Sequence, residues 1–205
     1  MHKEILSENQ KKLLDFISFF KKEYYLVGGT AIALHIGHRE SVDFDLFSKS
    51  NPRVKSIKNL LEKKNISFSV LHEASDQIHL IISDVKITFF NYPFNIEHNI
   101  SFEHYIKLPD LIHLAAMKAF ALGGRAKWKD YIDLYFILKK SHPIHLIEKT
   151  AKNIFGDRFN IKLFRQQLAY FADIDYSEPI VYVGRERPHE QVVKDFLTEQ
   201  ALIEF

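Results

Sequence analysis

The sequence predicts an α+β domain followed by a helical bundle, and three observations carry that expectation. Strand-like and helix-like segments mix up to about residue 108, and only helical periodicity follows. The strand candidates are short apolar runs closed by Gly, Asn, Asp or Ser, as in a mixed sheet with flanking helices. The 205 residues are 46% hydrophobic, enough for a separate core in each part. The expected domains are therefore 1–108 and 109–205.

Ser7 and Gln10 form an S-x-x-Q capping box, and Leu13, Leu14, Ile17 and Phe20 follow at helical spacing, so a helix starts near Ser7. Tyr24 to Val27 is a buried strand running into Gly28-Gly29, read as a tight turn. Thr30 to Ile36 is a helix, stopped by Gly37. Val42 to Phe47 alternates apolar and acidic residues. That period of two puts Asp43 and Asp45 on one face and Val42, Phe44 and Leu46 on the other. Pro52 opens a helix with Val54, Ile57, Leu60 and Leu61 as its apolar stripe. Strands are expected over 66–71, 78–82 and 85–91, with Ser83-Asp84 as the turn between the last two. Residues 92–108 have weak periodicity. Beyond them, helices are expected over 109–122, 129–140, 143–153, 160–171 and 188–203.

Composition removes several function classes. The longest near-apolar stretch, Leu111 to Leu122, is broken by His113 and Lys118, so no bilayer-spanning segment is expected. The N-terminus has charge without an apolar core and reads as no secretory signal. With no cysteine there is neither a disulfide framework nor a thiolate zinc site, and a reducing cytoplasm fits. A net charge of +2 is too small for binding nucleic acid by bulk electrostatics, so a polynucleotide needs a local basic patch.

The chemistry starts with Asp43 and Asp45. Two carboxylates on one strand face repel unless a cation sits between them. Mg²⁺ (or Mn²⁺) suits them, because it binds through one or two carboxylates and completes its shell with water and phosphate. An isolated D-x-D is more often a solvated strand face. The Gly28-Gly29 turn alters that balance, since it lets backbone approach a ligand and precedes a helix N-terminus that attracts anions. Thr30 adds a hydroxyl at the same place. Gly-Gly, thirteen residues, then Asp-Phe-Asp-Leu resembles the nucleotidyltransferase signature of the DNA polymerase β superfamily. The strings Gly28-Gly29-Thr30-Ala31-Ile32-Ala33-Leu34 and His38-Arg39-Glu40-Ser41-Val42-Asp43-Phe44-Asp45-Leu46 resemble its AbiEii-type branch.

A second likeness lies in the helical half. Lys118 within a small-residue helix, then Arg125, then Asp130-Tyr131-Ile132-Asp133, resembles the later motifs of the same family. The resemblance covers roughly residues 25 to 140. It implies a polymerase β-like domain that transfers an NMP from an NTP, with Asp43 and Asp45 as metal ligands. Gly28, Gly29, Thr30, Ser41, Arg125 and Asp133 would meet the nucleotide. Lys118 would hold phosphates, with Asp130 orienting it or contacting the nucleoside, and Asp130 is also placed to cap its helix. An RNA acceptor (tRNA or another RNA), an antitoxin protein and a place in a bacterial toxin–antitoxin pair belong to the same implication. One departure stands out: the position of the superfamily's third acid falls on Thr88, with Asp84 sharing its parity in a turn. Catalysis without that acid, nucleotide binding alone, and transfer to a small molecule all stay open. His35 and His38 have no third ligand at metal-site spacing, and the loop Gly123 to Lys129 is basic with one indole, suited either to phosphate or a base or to plain solvation.

Overall fold

The computed structural model describes residues 1–204, which divide into two units. One comprises residues 6–31 and 41–109; the other takes residues 110 onward together with 1–5 and 32–40. The helical part thus begins one residue after the expected start at 109. Two earlier stretches, His38 and Arg39 within them, are grouped with it.

The first unit is built on a seven-stranded mixed sheet. Its strands are β1 (Tyr25–Val27), β2 (Phe44–Ser48), β3 (Ser69–Glu73), β4 (Gln77–Ile82), β5 (Val85–Asn91), β6 (Ile100–Phe102) and β7 (Ile106–Leu108), in the order β3-β4-β5-β2-β1-β7-β6. β2 runs antiparallel to β1 and parallel to β5. One face is apolar: Leu26, Phe44, Leu46, Ile78, Leu80, Ile87 and Phe89 are all fully buried. Each such side chain contributes about 1.5–3 kcal/mol relative to exposure. Helix α1 (Glu8–Ser18) carries the predicted capping box and buries Leu13, Leu14 and Ile17. Just beyond it Phe20 meets Phe89 edge-on at 4.7 Å. Helix α3 (Val54–Lys63) buries Ile57 and Leu61.

Several local expectations change. Helix α2 (Gly28–Ile36) starts on Gly28 itself, with no intervening turn, because Gly28 takes φ +73 and reverses the chain in one residue. Gly37, at φ +71, ends it. Val42 is 57% exposed rather than inward, since β2 starts only at Phe44 and leaves Val42 without a strand neighbour. Ser83 and Asp84, both at positive φ, make the tight hairpin between β4 and β5. β3 lies later than the expected 66–71, and all five of its residues are exposed. It carries a bulge between Val70 and His72. β6 and β7 occupy the segment that shows no clear period.

The second unit holds α4 (Leu111–Leu122), α5 (Trp128–Lys140), α6 (Ile144–Phe155), α7 (Ile161–Leu168) and α8 (Glu190–Leu202). α4 packs on α5, α6 and α7, while α8 packs on α5 and α7. Phe120 stacks on Phe155 at 4.1 Å between α4 and α6, and Tyr135 meets Phe196 at 5.2 Å between α5 and α8. The buried Glu148–Arg165 pair joins α6 to α7, with Nε to Oε1 at 2.5 Å. Among the described residues no helix is long and apolar enough to cross a membrane.

Candidate active site

Within the sheet unit, Asp45 pairs in register with Val27, the residue before Gly28. A Cβ built on Gly28 would lie 2.3 Å from Asp45 Oδ2. Glycine is therefore required twice at position 28, for its backbone conformation and to leave room for the carboxylate. Thr30 is buried, shares a 2.9 Å hydrogen bond with the Ser41 hydroxyl, and donates to the Asp43 carbonyl. Its side chain thus fixes the backbone that leads into β2. What remains for a ligand at the start of α2 is backbone, since first-turn N–H groups have no intrahelical carbonyl. Gly28, Gly29, Thr30, Ser41, Asp43 and Asp45 are brought together here.

Among the described residues no three His, Cys, Asp or Glu side chains converge on a metal-sized point. The protein offers the Asp45 carboxylate beside a glycine without a side chain, with Asp43 two residues before it in the chain. That donor set fits an ion that takes its remaining ligands from water and phosphate. Thr88 on β5 is the residue in register with Asp45 on β2, so the position of a third acid holds a hydroxyl and methyl.

Within the helical unit, a second cluster forms around Asp130 and Asp133 on α5. The Asp133 carboxylate is fully buried and accepts from Arg39 twice, Nε to Oδ1 and Nη2 to Oδ2, both at 2.8 Å. His38 Nε2 lies 2.8 Å from Oδ1, and Lys118 Nζ lies 3.1 Å from Oδ2. Burial would raise the Asp133 carboxyl, but Arg39 and Lys118 outweigh it and hold the group well below the usual carboxylate range. Asp130 is also buried. Lys118 and Arg125 beside it outweigh the same burial penalty and lower its pKa. Lys118, on α4, donates to Asp130, and Arg125 Nε donates to it at 2.9 Å.

Two expectations about α5 are corrected. Asp130 is the third residue of the helix rather than its cap; the cap position is Lys127, and the carboxylate turns to Lys118 and Arg125 instead. Asp133, expected at the nucleotide, has both oxygens engaged by Arg39, His38 and Lys118. The indole of the basic loop is unavailable for stacking a base. Trp128 is the first residue of α5, buried against Tyr131 and Tyr176. Lys127 and Lys129 both pair with Glu178, while Arg125 keeps half its side chain exposed.

His38 and Arg39 are the residues that sequence reasoning missed. His38 is pushed below its ordinary pKa of 6.5 by burial, against the pull of Asp133. A neutral ring that donates from Nε2 to an ionised carboxylate leaves Nδ1 as a bare acceptor, and that atom is buried without a partner. The only signal in the sequence was their place in the string between Leu34 and Asp43.

Residues 12–103 match the family described as nucleotidyl transferase AbiEii toxin, type IV TA system. Over that stretch the chain is similar to AbiEii-type nucleotidyltransferases. The match takes in Gly28 through Asp45 and Thr88 and ends before the cluster on α4 and α5. An uncharacterized protein of Aquifex aeolicus is 29% identical over 180 residues, covering 85% of this chain and 84% of its own length. Among solved structures, MenT4, a nucleotidyltransferase toxin of Mycobacterium tuberculosis, superposes with a TM-score of 0.66 at 15% identity. That match covers 94% of this chain and 80% of MenT4. JHP933 of Helicobacter pylori superposes at 0.52 and 17% identity, over 80% of this chain and 74% of its own. At these identities the two structures speak for the fold. The fold they share with this chain is a mixed sheet with flanking helices followed by helices.

Proposed function

We propose that the protein is a Mg²⁺- or Mn²⁺-dependent enzyme that moves an NMP from an NTP to an acceptor hydroxyl, with RNA as the acceptor. The observation that carries the reading is Gly28, whose missing side chain leaves the Asp45 carboxylate beside the start of α2. In the reaction the acceptor oxygen bonds to the α-phosphorus, the bond from that phosphorus to the β-phosphate oxygen breaks, and pyrophosphate leaves. The hydroxyl proton passes to solvent. A divalent ion held by Asp43 and Asp45 would supply charge neutralisation at the reacting phosphate. Backbone N–H groups at Gly28, Gly29 and Thr30 orient the phosphates, and Ser41 sets the loop beside them. Lys118 is assigned to the charge that builds on the leaving group, with Asp130 orienting its ammonium and Arg125 adding a second cation. The functional division 1–108 and 109–205, a cytoplasmic site of action and an antitoxin partner in a toxin–antitoxin pair belong to the same reading.

The test uses labelled NTPs, Mg²⁺ and total RNA as acceptor. Wild type is expected to label RNA, and Asp43→Ala to lose at least about a hundredfold, the scale of removing one preorganised electrostatic contact. Equal labelling by the two proteins would sink the mechanism. A second reading, nucleotide binding without turnover, draws on Thr88 opposite Asp45. It predicts NTP affinity by calorimetry with no product from any acceptor.

A further inference from the structure

The sheet face that carries Asp45 continues along β1. Val27 pairs with Asp45 and Tyr25 pairs with Phe47, so Tyr25 stands one side-chain row from Asp45 on the same face. Two residues along a strand is about 7 Å. Tyr25 lines a recess of about 540 Å³ that also draws on Ser48, Lys49, Asn51, Arg53 and His98. Its ring is stacked on His98, with centroids 4.3 Å apart and planes 12° apart. His98 Nδ1 donates to the Ile96 carbonyl at 2.7 Å, which leaves Nε2 as an acceptor. Tyr25 is only 3% exposed, and its hydroxyl is buried without any hydrogen-bond partner. A buried hydroxyl in that state calls for a polar atom from outside the protein.

The recess does not end there. A second one of the same volume, about 540 Å³, shares Glu23, Tyr24 and His98 with it and adds Lys21, Lys22 and Lys107. Around the two, five Lys and Arg side chains face two carboxylates, while the whole chain carries a net charge of only +2. The excess is local. One of the two acids, Glu23, is already paired with Arg53. A groove with a stacked aromatic pair, an unsatisfied hydroxyl, amide and hydroxyl groups and a cationic rim has the chemistry that holds unstacked bases and their phosphates.

We propose that this groove is the seat of a single-stranded polynucleotide, the acceptor strand. In it the Tyr25 hydroxyl meets a base or sugar, and Lys49 and Lys107 meet phosphates. The proposal rests on the transfer reading and locates the polynucleotide acceptor that it names. The experiment reads fluorescence anisotropy of labelled oligouridylate and oligodeoxyuridylate with the full-length protein, without NTP, across a salt series. Lys49 and Lys107 are exposed, so Lys49→Glu with Lys107→Glu should leave the thermal melt unchanged. The double variant is expected to bind at least about tenfold more weakly and to lose about two from the slope of log K against log salt. Tyr25→Phe should weaken binding less and leave the salt slope as it was. Preference for one of the two oligomers identifies the sugar of the acceptor. Lys162→Glu on α7, outside the groove, should bind as wild type. If the double variant binds as wild type, or Lys162→Glu weakens binding equally, the groove is not the seat. Asp43→Ala should bind the oligomers normally, so failure of the transfer mechanism and failure of the groove give different results.

Discussion

At the scale of single residues, the acids and the glycine that admits them are bound together by sterics. Adding one methyl at Gly28 meets a side-chain oxygen of Asp45, the mobile end of a short chain, so the collision is relieved by turning the carboxylate away. Gly28→Ala should therefore cost about 1–2 kcal/mol from its left-handed backbone, or roughly 2–8 °C in melting temperature. It should reduce transfer far more than that loss of stability explains. A melt paired with the labelling assay checks this, and normal transfer would show that Asp45 need not stay where it is. Gly28, Asp43 and Asp45 were legible in the sequence because they lie within one short string. His38 and Arg39 were not. Their partner Asp133 stands 94 residues beyond Arg39, and nothing local distinguishes an arginine that will be buried from one that will be solvated.

Elements show the same division between local and distant causes. The capping box at Ser7 and the apolar spacing of α1 and α3 read directly, because three- and four-residue periods are set within the helix itself. β6 and β7 did not read, since three residues each are too few to show alternation. β3 was misplaced because all of its residues are exposed, so hydrophobicity carries no register there. Strand pairing also supplies a direct test of the missing acid. Thr88 faces Asp45 across a parallel pair, so Thr88→Asp puts two like charges side by side. In EDTA that variant should melt below wild type. Added Mg²⁺ or Mn²⁺ should then raise its melting temperature by more than it raises that of wild type. No difference in metal response would argue that Asp45 does not face a cation.

For the whole molecule, acid should destabilise in two stages, and the cluster on α5 contributes to both. His38 has a folded pKa below its ordinary 6.5, so as pH falls the unfolded chain takes the proton first and stability declines from about that pH downward. Asp130 and Asp133 are depressed below 3.8. Their contribution is complete above that value and is lost as pH falls further through the folded pKa. Urea midpoints measured across pH should be flat above neutrality and fall below 6.5. His38→Gln should shrink the first decline, leaving the share of His79, which burial also lowers, and keep the second; a slope unchanged by that variant would place its cause elsewhere. The bulged outer strand β3 has a consequence for behaviour in concentrated solution. An outer strand presents unpaired main-chain groups to other copies of the protein, and β3 shows them together with Val70 and with Leu71, 58% exposed at the bulge. The bulge and the adjoining His72 and Glu73 blunt this edge, yet Leu71 leaves it tacky. Leu71→Lys should raise the concentration at which light scattering first appears and leave the melting temperature unmoved. In an unaltered sample, that rim is expected to limit how densely the protein can be stored before it clouds.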